Sequence, residues 1–235
     1  ARPVAGEPGQ RRKPQPNPAK KPTRELGPSE LGTTGVHCLA AKLAGWPHAN
    51  QQAGWLAFIG TCVHEHFERL FRELSETEQY HNRFQTELKV TVSPLNGVYG
   101  GYEIGGHIDL FDRKAKATCD WKITGSTTMR NVKANGPSQQ YQVQASAYGL
   151  GLLHDDQEVE RSCIYFLPRN SVSLNDAIPI EYPFDPKPGQ WALARAQLLV
   201  NLMDVIERAD GPQVRDAWIS LLPKATDHCF DCGSW

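Results

Sequence analysis

The run Gly105-Gly106-His107-Ile108-Asp109-Leu110 is followed, after a short turn, by Cys119-Asp120-Trp121-Lys122. Two acids and an amine so arranged suit metal-assisted cleavage of a phosphodiester. Side chains alternate along a strand, so Asp120 and Lys122 share one face while Cys119 and Trp121 take the other. With Arg113-Lys114-Ala115 as a turn, the two runs fold back as a hairpin and bring Asp109 opposite Asp120, at the cross-strand spacing of about 5 Å. Carboxylates that close repel unless a cation lies between them, and hard oxygen ligands suit Mg²⁺ or Mn²⁺.

Elements able to position these groups are legible on either side. From Trp55 to Leu74 the residues Ile59, Val63, Phe67, Leu70, Phe71 and Leu74 recur at helical spacing and predict an amphipathic helix with a buried face, on which His64 sits beside Val63. Pro28-Ser29-Glu30 starts an earlier helix running to Gly45, broken at Gly32 or Gly35. Leu88 to Val92, Tyr99 to Ile104, Ile108 to Phe111 and Ala117 to Ile123 predict a meander of four strands. Gly125 to Pro137 reads as a long polar loop. Ser138 to Leu153 returns to helix, with Tyr141, Ala145, Tyr148 and Leu152 along one stripe. Cys163 to Leu167 and Ile178 to Tyr182 are strand-like, and Pro188 to Arg208 is a long helix with Trp191, Ala194, Leu198, Leu202 and Val205 at compatible spacing. Helix, strands, helix, strand, helix is an α/β plan with a mixed sheet covered by helices.

Composition sets the outer bounds. The chain of 235 residues is 40% apolar and 22% charged, enough for one sizeable core. Its net charge of −1 is unevenly placed, because seven Arg and Lys against Glu7 and Glu25 give residues 1–25 about +5 and leave about −6 elsewhere. With Pro14, Pro16, Pro18 and Pro22 as well, residues 1–27 are expected to be a disordered tail, either solubilising or DNA-tethering, ahead of one domain over 28–235. No apolar run approaches the roughly 20 residues of a membrane span, and the start lacks a signal-peptide core, so a cytoplasmic protein without membrane contact is expected. The cysteines at 38, 62, 119, 163, 229 and 232 do not form the dense framework of a small secreted domain. Cys62, Cys119 and Cys163 lie in apolar segments and read as buried thiols.

These motifs, in this order, resemble the PD-(D/E)xK nuclease superfamily, and within it the RecB-like exonuclease branch found in phage and CRISPR-adaptation nucleases. The resemblance rests on His64 in Gly60-Thr61-Cys62-Val63-His64, Asp109 after Gly106, Asp120 and Lys122, and Gln144 and Tyr148 in Gln144-Ala145-Ser146-Ala147-Tyr148. It implies a restriction-endonuclease-like α/β fold, with a mixed central sheet flanked by helices. It also implies a divalent ion held by His64, Asp109, Asp120 and the Trp121 carbonyl, with Glu87 as an extra carboxylate should a second ion bind. Lys122 would orient or deprotonate the attacking water, and Gln144 and Tyr148 would touch the site or the DNA backbone.

Many relatives of this branch staple their termini with a [4Fe-4S] cluster on one early and three late cysteines. Here Cys38 is matched by Cys229 and Cys232 alone, leaving His37, His228 or a residue beyond Trp235 as fourth ligand, a set that suits Zn²⁺ as well as iron–sulfur. Arg130, Lys133, Lys114 and Lys116 are candidate phosphate contacts. The resemblance implies a metal-dependent deoxyribonuclease acting on DNA ends or single strands in recombination, repair or replication, in a bacterial or phage-infected cell and alongside recombination or replication proteins. Two rivals are a non-catalytic DNA-binding or assembly subunit on the same scaffold, and a site-specific endonuclease.

Overall fold

A computed structural model describes residues 24–47 and 54–225. In chain order the elements are β1 (Arg24–Leu26), α1 (Pro28–Leu31), α2 (Val36–Ala44), α3 (Trp55–Glu76), β2 (Phe84–Asn96), β3 (Gly101–Asp112), β4 (Ala117–Thr124), α4 (Ser126–Asn135), α5 (Gln139–His154), β5 (Arg161–Pro168), β6 (Ile178–Pro183), α6 (Lys187–Asp210) and α7 (Pro212–Ser220). The tail expected over 1–27 falls outside the described residues up to residue 23. Its boundary moves, because Arg24–Leu26 pair in parallel with Tyr102–Ile104.

The six strands form one mixed sheet with β3 as its spine. One edge of β3 carries β2, antiparallel along its whole length. The other edge is divided between β1 at Tyr102–Ile104 and β4 at Leu110–Asp112. Between them, Gly105 to Asp109 has no ladder partner on that side among the described residues. β4 instead pairs in parallel with β5, from Ala117↔Arg161 to Thr124↔Pro168, and β6 closes the far edge antiparallel. β3 and β4 therefore fork just past Leu110↔Cys119, and a fork in a sheet opens a cleft.

Helices cover both faces, as a sheet with one apolar stripe per side requires. On one face Val132 of α4 and Ala145 of α5 pack against Ile164 and Phe166, while Tyr148 and Leu152 of α5 pack on Val90, Ile108 and Phe111. On the other, Val63, Phe67 and Phe71 of α3 lie against Leu110, Trp121 and Tyr165, with the Phe71 and Trp121 rings stacked 5.7 Å apart. A larger cluster built from α2, α6 and α7 holds Leu39, Leu43, Leu199, Met203 and Ile219.

Four expectations change. Tyr99 to Ile104 and Ile108 to Phe111 are one strand, since Gly105 is no turn: it lets the Val90 carbonyl come within 2.8 Å of where a Cβ would stand. The polar stretch after Gly125 is a helix, because tertiary packing of Met129 and Val132 overrides weak local propensity. On α6 the buried face is Gly189, Ala192, Ala196, Leu199, Val200 and Met203, and the large apolar stripe points outward, with Trp191, Leu198 and Val205 exposed. Small residues win that face because α5 passes close by: a Cβ on Gly189 would stand 2.9 Å from Ser146 Oγ. Finally, Cys62 is exposed and Cys119 half-buried, leaving Cys163 as the buried thiol of the three. Cys62 follows the solvent side of α3, away from the Val63 and Phe67 contact.

The hairpin joining β3 to β4 is pinned by Asp112. Its buried carboxylate accepts from Arg83 Nε at 2.9 Å and Nη2 at 2.6 Å, and from the Lys114 and Ala115 amides at 3.0 and 3.1 Å. Burial pushes its pKa up, but Arg83 and the turn amides outweigh this and hold it below the usual range. A carboxyl depressed on folding stabilises fully above its unfolded value, near pH 4, and that contribution is lost as pH falls through the lower folded value. Asp112→Ala, which strands the Arg83 guanidinium and two turn amides, is expected to cost about 3 kcal/mol in urea unfolding at pH 7. The deficit should shrink on acidification.

Candidate metal centre

The site lies in the fork. Asp109 sits on β3 where β4 departs, and its Oδ2 accepts from the Trp121 amide at 2.8 Å, giving that otherwise unladdered donor a partner. α3 crosses the other face and sends His64 in beside it, with Nδ1 3.3 Å from Asp109 Oδ1. Glu87 lies between the pairs Thr86↔Leu110 and Leu88↔Ile108, so it faces Asp109 across the ladder. One ligand atom each from His64, Glu87 and Asp109 fall within 4.8 Å of one another.

Glu87 has φ of 48°, the left-handed region, within a strand. For a residue with a Cβ that conformation costs roughly 1–2 kcal/mol, and such strain persists where the surroundings impose it. Burial and then the Asp109 charge push the Glu87 carboxyl above its ordinary value. The His64 imidazole is pushed up as well, chiefly by its hydrogen bond to Asp109 and against the effect of burial. Crowded acids are what a cation would relieve. Glu87→Gly should therefore be about 1 kcal/mol more stable than Glu87→Ala in denaturant unfolding, since glycine adopts positive φ without a Cβ clash. Both variants should lose Mn²⁺ uptake.

Asp120, on the other arm of the fork, is buried and turned toward the same cleft's inner wall. Its Oδ2 is 2.7 Å from Lys122 Nζ, and its Oδ1 accepts from Gln144 Nε2 at 3.1 Å. Burial drives the Asp120 pKa up, against the pull of Lys122. Gln144 gives its second amide hydrogen to the Tyr148 hydroxyl at 3.1 Å, so α5 fixes the Asp120 carboxylate through a two-step chain. Lys122 Nζ also lies 5.6 Å from the centre of the Tyr141 ring, a cation–π contact. Tyr141 was legible only as packing, though its i, i+3, i+7 spacing to Gln144 and Tyr148 places all three on one side of α5.

The structure thus brings His64, Glu87 and Asp109 together, with Asp120, Lys122, Gln144 and Tyr148 adjoining. Glu87 lies with His64 and Asp109, whereas Asp120 is engaged by Lys122. Beside this group an open cleft of about 550 Å³ is lined by Ala57, Gly60, Thr61, His64, Glu65, Glu68 and Glu87.

The cysteine expectation separates from this site. Cys38 is fully buried in α2, and the backbone at Ala225 passes close to it over Gly35. His37 is also buried; its amide donates to the Pro223 carbonyl at 3.2 Å, and burial lowers its pKa. Cys229, Cys232 and His228 lie outside the described residues.

No family model matches the sequence, and no curated protein matches it. Among solved structures, SSO0001 superposes with a TM-score of 0.50 at 14% identity, over 77% of this chain and 78% of that one. The chain shares that structure's α/β fold. An alkaline exonuclease from Laribacter hongkongensis superposes at 0.49 with 10% identity, over 83% and 90% of the two chains. A phage-related exonuclease from Haemophilus somnus superposes at 0.43 with 12% identity, over 74% and 82%. No helix of the described residues is long and apolar enough to cross a membrane.

Proposed function

We propose that the protein is a Mg²⁺- or Mn²⁺-dependent deoxyribonuclease of the RecB-like branch, hydrolysing phosphodiester bonds from DNA ends in recombination, repair or replication. The observation that supports this best is the convergence of His64, Glu87 and Asp109 within 4.8 Å, next to an Asp120–Lys122 pair on the facing strand. One imidazole nitrogen and several carboxylate oxygens form a donor set for a hard divalent ion, and the positive φ at Glu87 turns one of those carboxylates into the group. When bound, such an ion supplies an acidified water and neutralises phosphate charge.

The chain does the rest. Asp109 holds its orientation through the Trp121 amide, and Asp120 holds its own through Gln144 and Tyr148. Lys122, poised between Asp120 and the Tyr141 ring, carries a compact positive charge to a phosphate oxygen or holds the attacking water. The end preference rests on the motif resemblance. Incubating labelled linear and closed circular DNA with Mn²⁺, with and without chelator, tests it. Metal-dependent loss of linear DNA with circles intact is expected. Nicked or linearised circles would replace the exonuclease by an endonuclease, and binding without products would leave a non-catalytic scaffold.

A further inference from the structure

An open groove of about 620 Å³ runs between α4 and the β5–β6 connection. Its walls carry Arg130 and Lys133 on one side and Asn170 and Asn175 on the other, over a floor that includes Met129 and Ile178. Arg169 stands just outside this lining, between Pro168 and Asn170 in the chain, and its guanidinium lies 2.7 Å from where a Cβ would stand on Gly125, at the head of α4. Arg130, Lys133 and Arg169 are exposed, and none is ion-paired among the described residues. Elsewhere the basic residues are often spoken for: Arg83 holds Asp112, Lys116 holds Glu158 and Glu160, Arg161 holds Glu181, and Arg215 holds Glu207. The one acid lining the groove, Asp176, accepts a hydrogen bond from the Ser171 hydroxyl.

Position gives this charge a meaning. Met129 and Val132 of α4 pack with Ile164 and Phe166, the register partners of Asp120 and Lys122, so the groove lies on the face that bears those two side chains. It begins where β4 and β5 end together at Thr124↔Pro168. Ser126 at its rim is four positions beyond Lys122, which is at most about 14 Å of chain. Uncompensated cations over an apolar floor, a few nucleotides from a phosphodiester centre, match a sugar–phosphate backbone with its bases resting below.

We propose that this groove is the track for a single nucleic-acid strand entering or leaving the metal centre, with Arg130, Lys133 and Arg169 as its phosphate contacts. The proposal rests on the nuclease reading for the identity of the strand, yet it fails or stands separately. Lys114 and Lys116 drop out as partners in this track: one lies in the turn at the opposite end of β4, the other is held by two glutamates.

The test is fluorescence anisotropy of a short labelled oligothymidylate, with metal chelated, across a salt series. The variant is Arg130→Gln/Lys133→Gln/Arg169→Gln, which keeps good helix formers in α4, and circular dichroism checks its fold. Arg208→Ala on α6 serves as a distant control. Losing three contacts to a single strand should flatten the log–log salt dependence by about 2 and weaken binding roughly a hundredfold at 0.1 M salt. In cleavage assays KM should rise with kcat nearly unchanged. A folded triple variant with wild-type slope and KM, in a protein that cleaves, overturns the groove alone. Groove-dependent binding by a wild-type protein that never cleaves overturns the nuclease reading alone. A wild type that binds no oligonucleotide yet cleaves overturns the groove alone, and one that neither binds nor cleaves overturns both.

Discussion

Asp109→Ala is expected to lower Mn²⁺-dependent DNA cleavage at least about a thousandfold while the protein stays folded. Asp109 is the residue on which both halves of the site meet, since its two oxygens face His64 and the Trp121 amide while Glu87 stands across the ladder. Removing it breaks the donor set and also frees the backbone of the neighbouring strand to shift. Lys122→Ala should be milder, about 10²–10³-fold in kcat with KM little changed, because it removes a charge used in the transition state and leaves the ligands in place. Single-turnover cleavage, with circular dichroism as a check on folding, separates the two. Near-wild-type cleavage by both variants would move the chemistry out of the fork.

Stripping divalent ions should abolish cleavage completely yet leave the sheet and its helices intact, because the apolar clusters on both faces contain none of His64, Glu87, Asp109 and Asp120. Restoring Mn²⁺ to about a hundred times its Kd should add about 2.7 kcal/mol of stability, a rise in Tm of roughly 5–10 °C for a domain of this size. The increment comes from binding of the ion to the folded chain alone, so at the same Mn²⁺ concentration it should shrink by at least about half in His64→Ala and Asp109→Ala. Thermal melts with and without chelator read it directly. Equal melting of the wild type in both conditions would mean that no ion binds there with useful affinity.

The sequence showed the parts of the site better than their relations. Alternation along β4 placed Asp120 and Lys122 on one face, and helical spacing put His64 on α3, because those periodicities are local. The fork was not legible: nothing in Gly105 to Asp109 announces that one edge of β3 loses its partner there, since pairing is settled by strands far apart in the chain. Glu87 is expected as an extra carboxylate through the resemblance alone, and its positive φ is a tertiary imposition that the run Glu87-Leu88-Lys89 does not foretell. The outward stripe on α6 shows a related limit. A helix can carry two plausible apolar faces, and the close approach of α5 chose the one made of small residues. The same competition turned a weak helix former, Ser126–Asn135, into the wall of a groove.

The most direct measurement is Mn²⁺ uptake followed by the loss of the free-ion electron paramagnetic resonance signal, in the wild type and in Glu87→Gln, His64→Ala and Asp109→Asn. The account predicts that the wild type takes up Mn²⁺ and that each substitution weakens this by at least about tenfold. Undiminished uptake by all three variants, or none by the wild type, would contradict it.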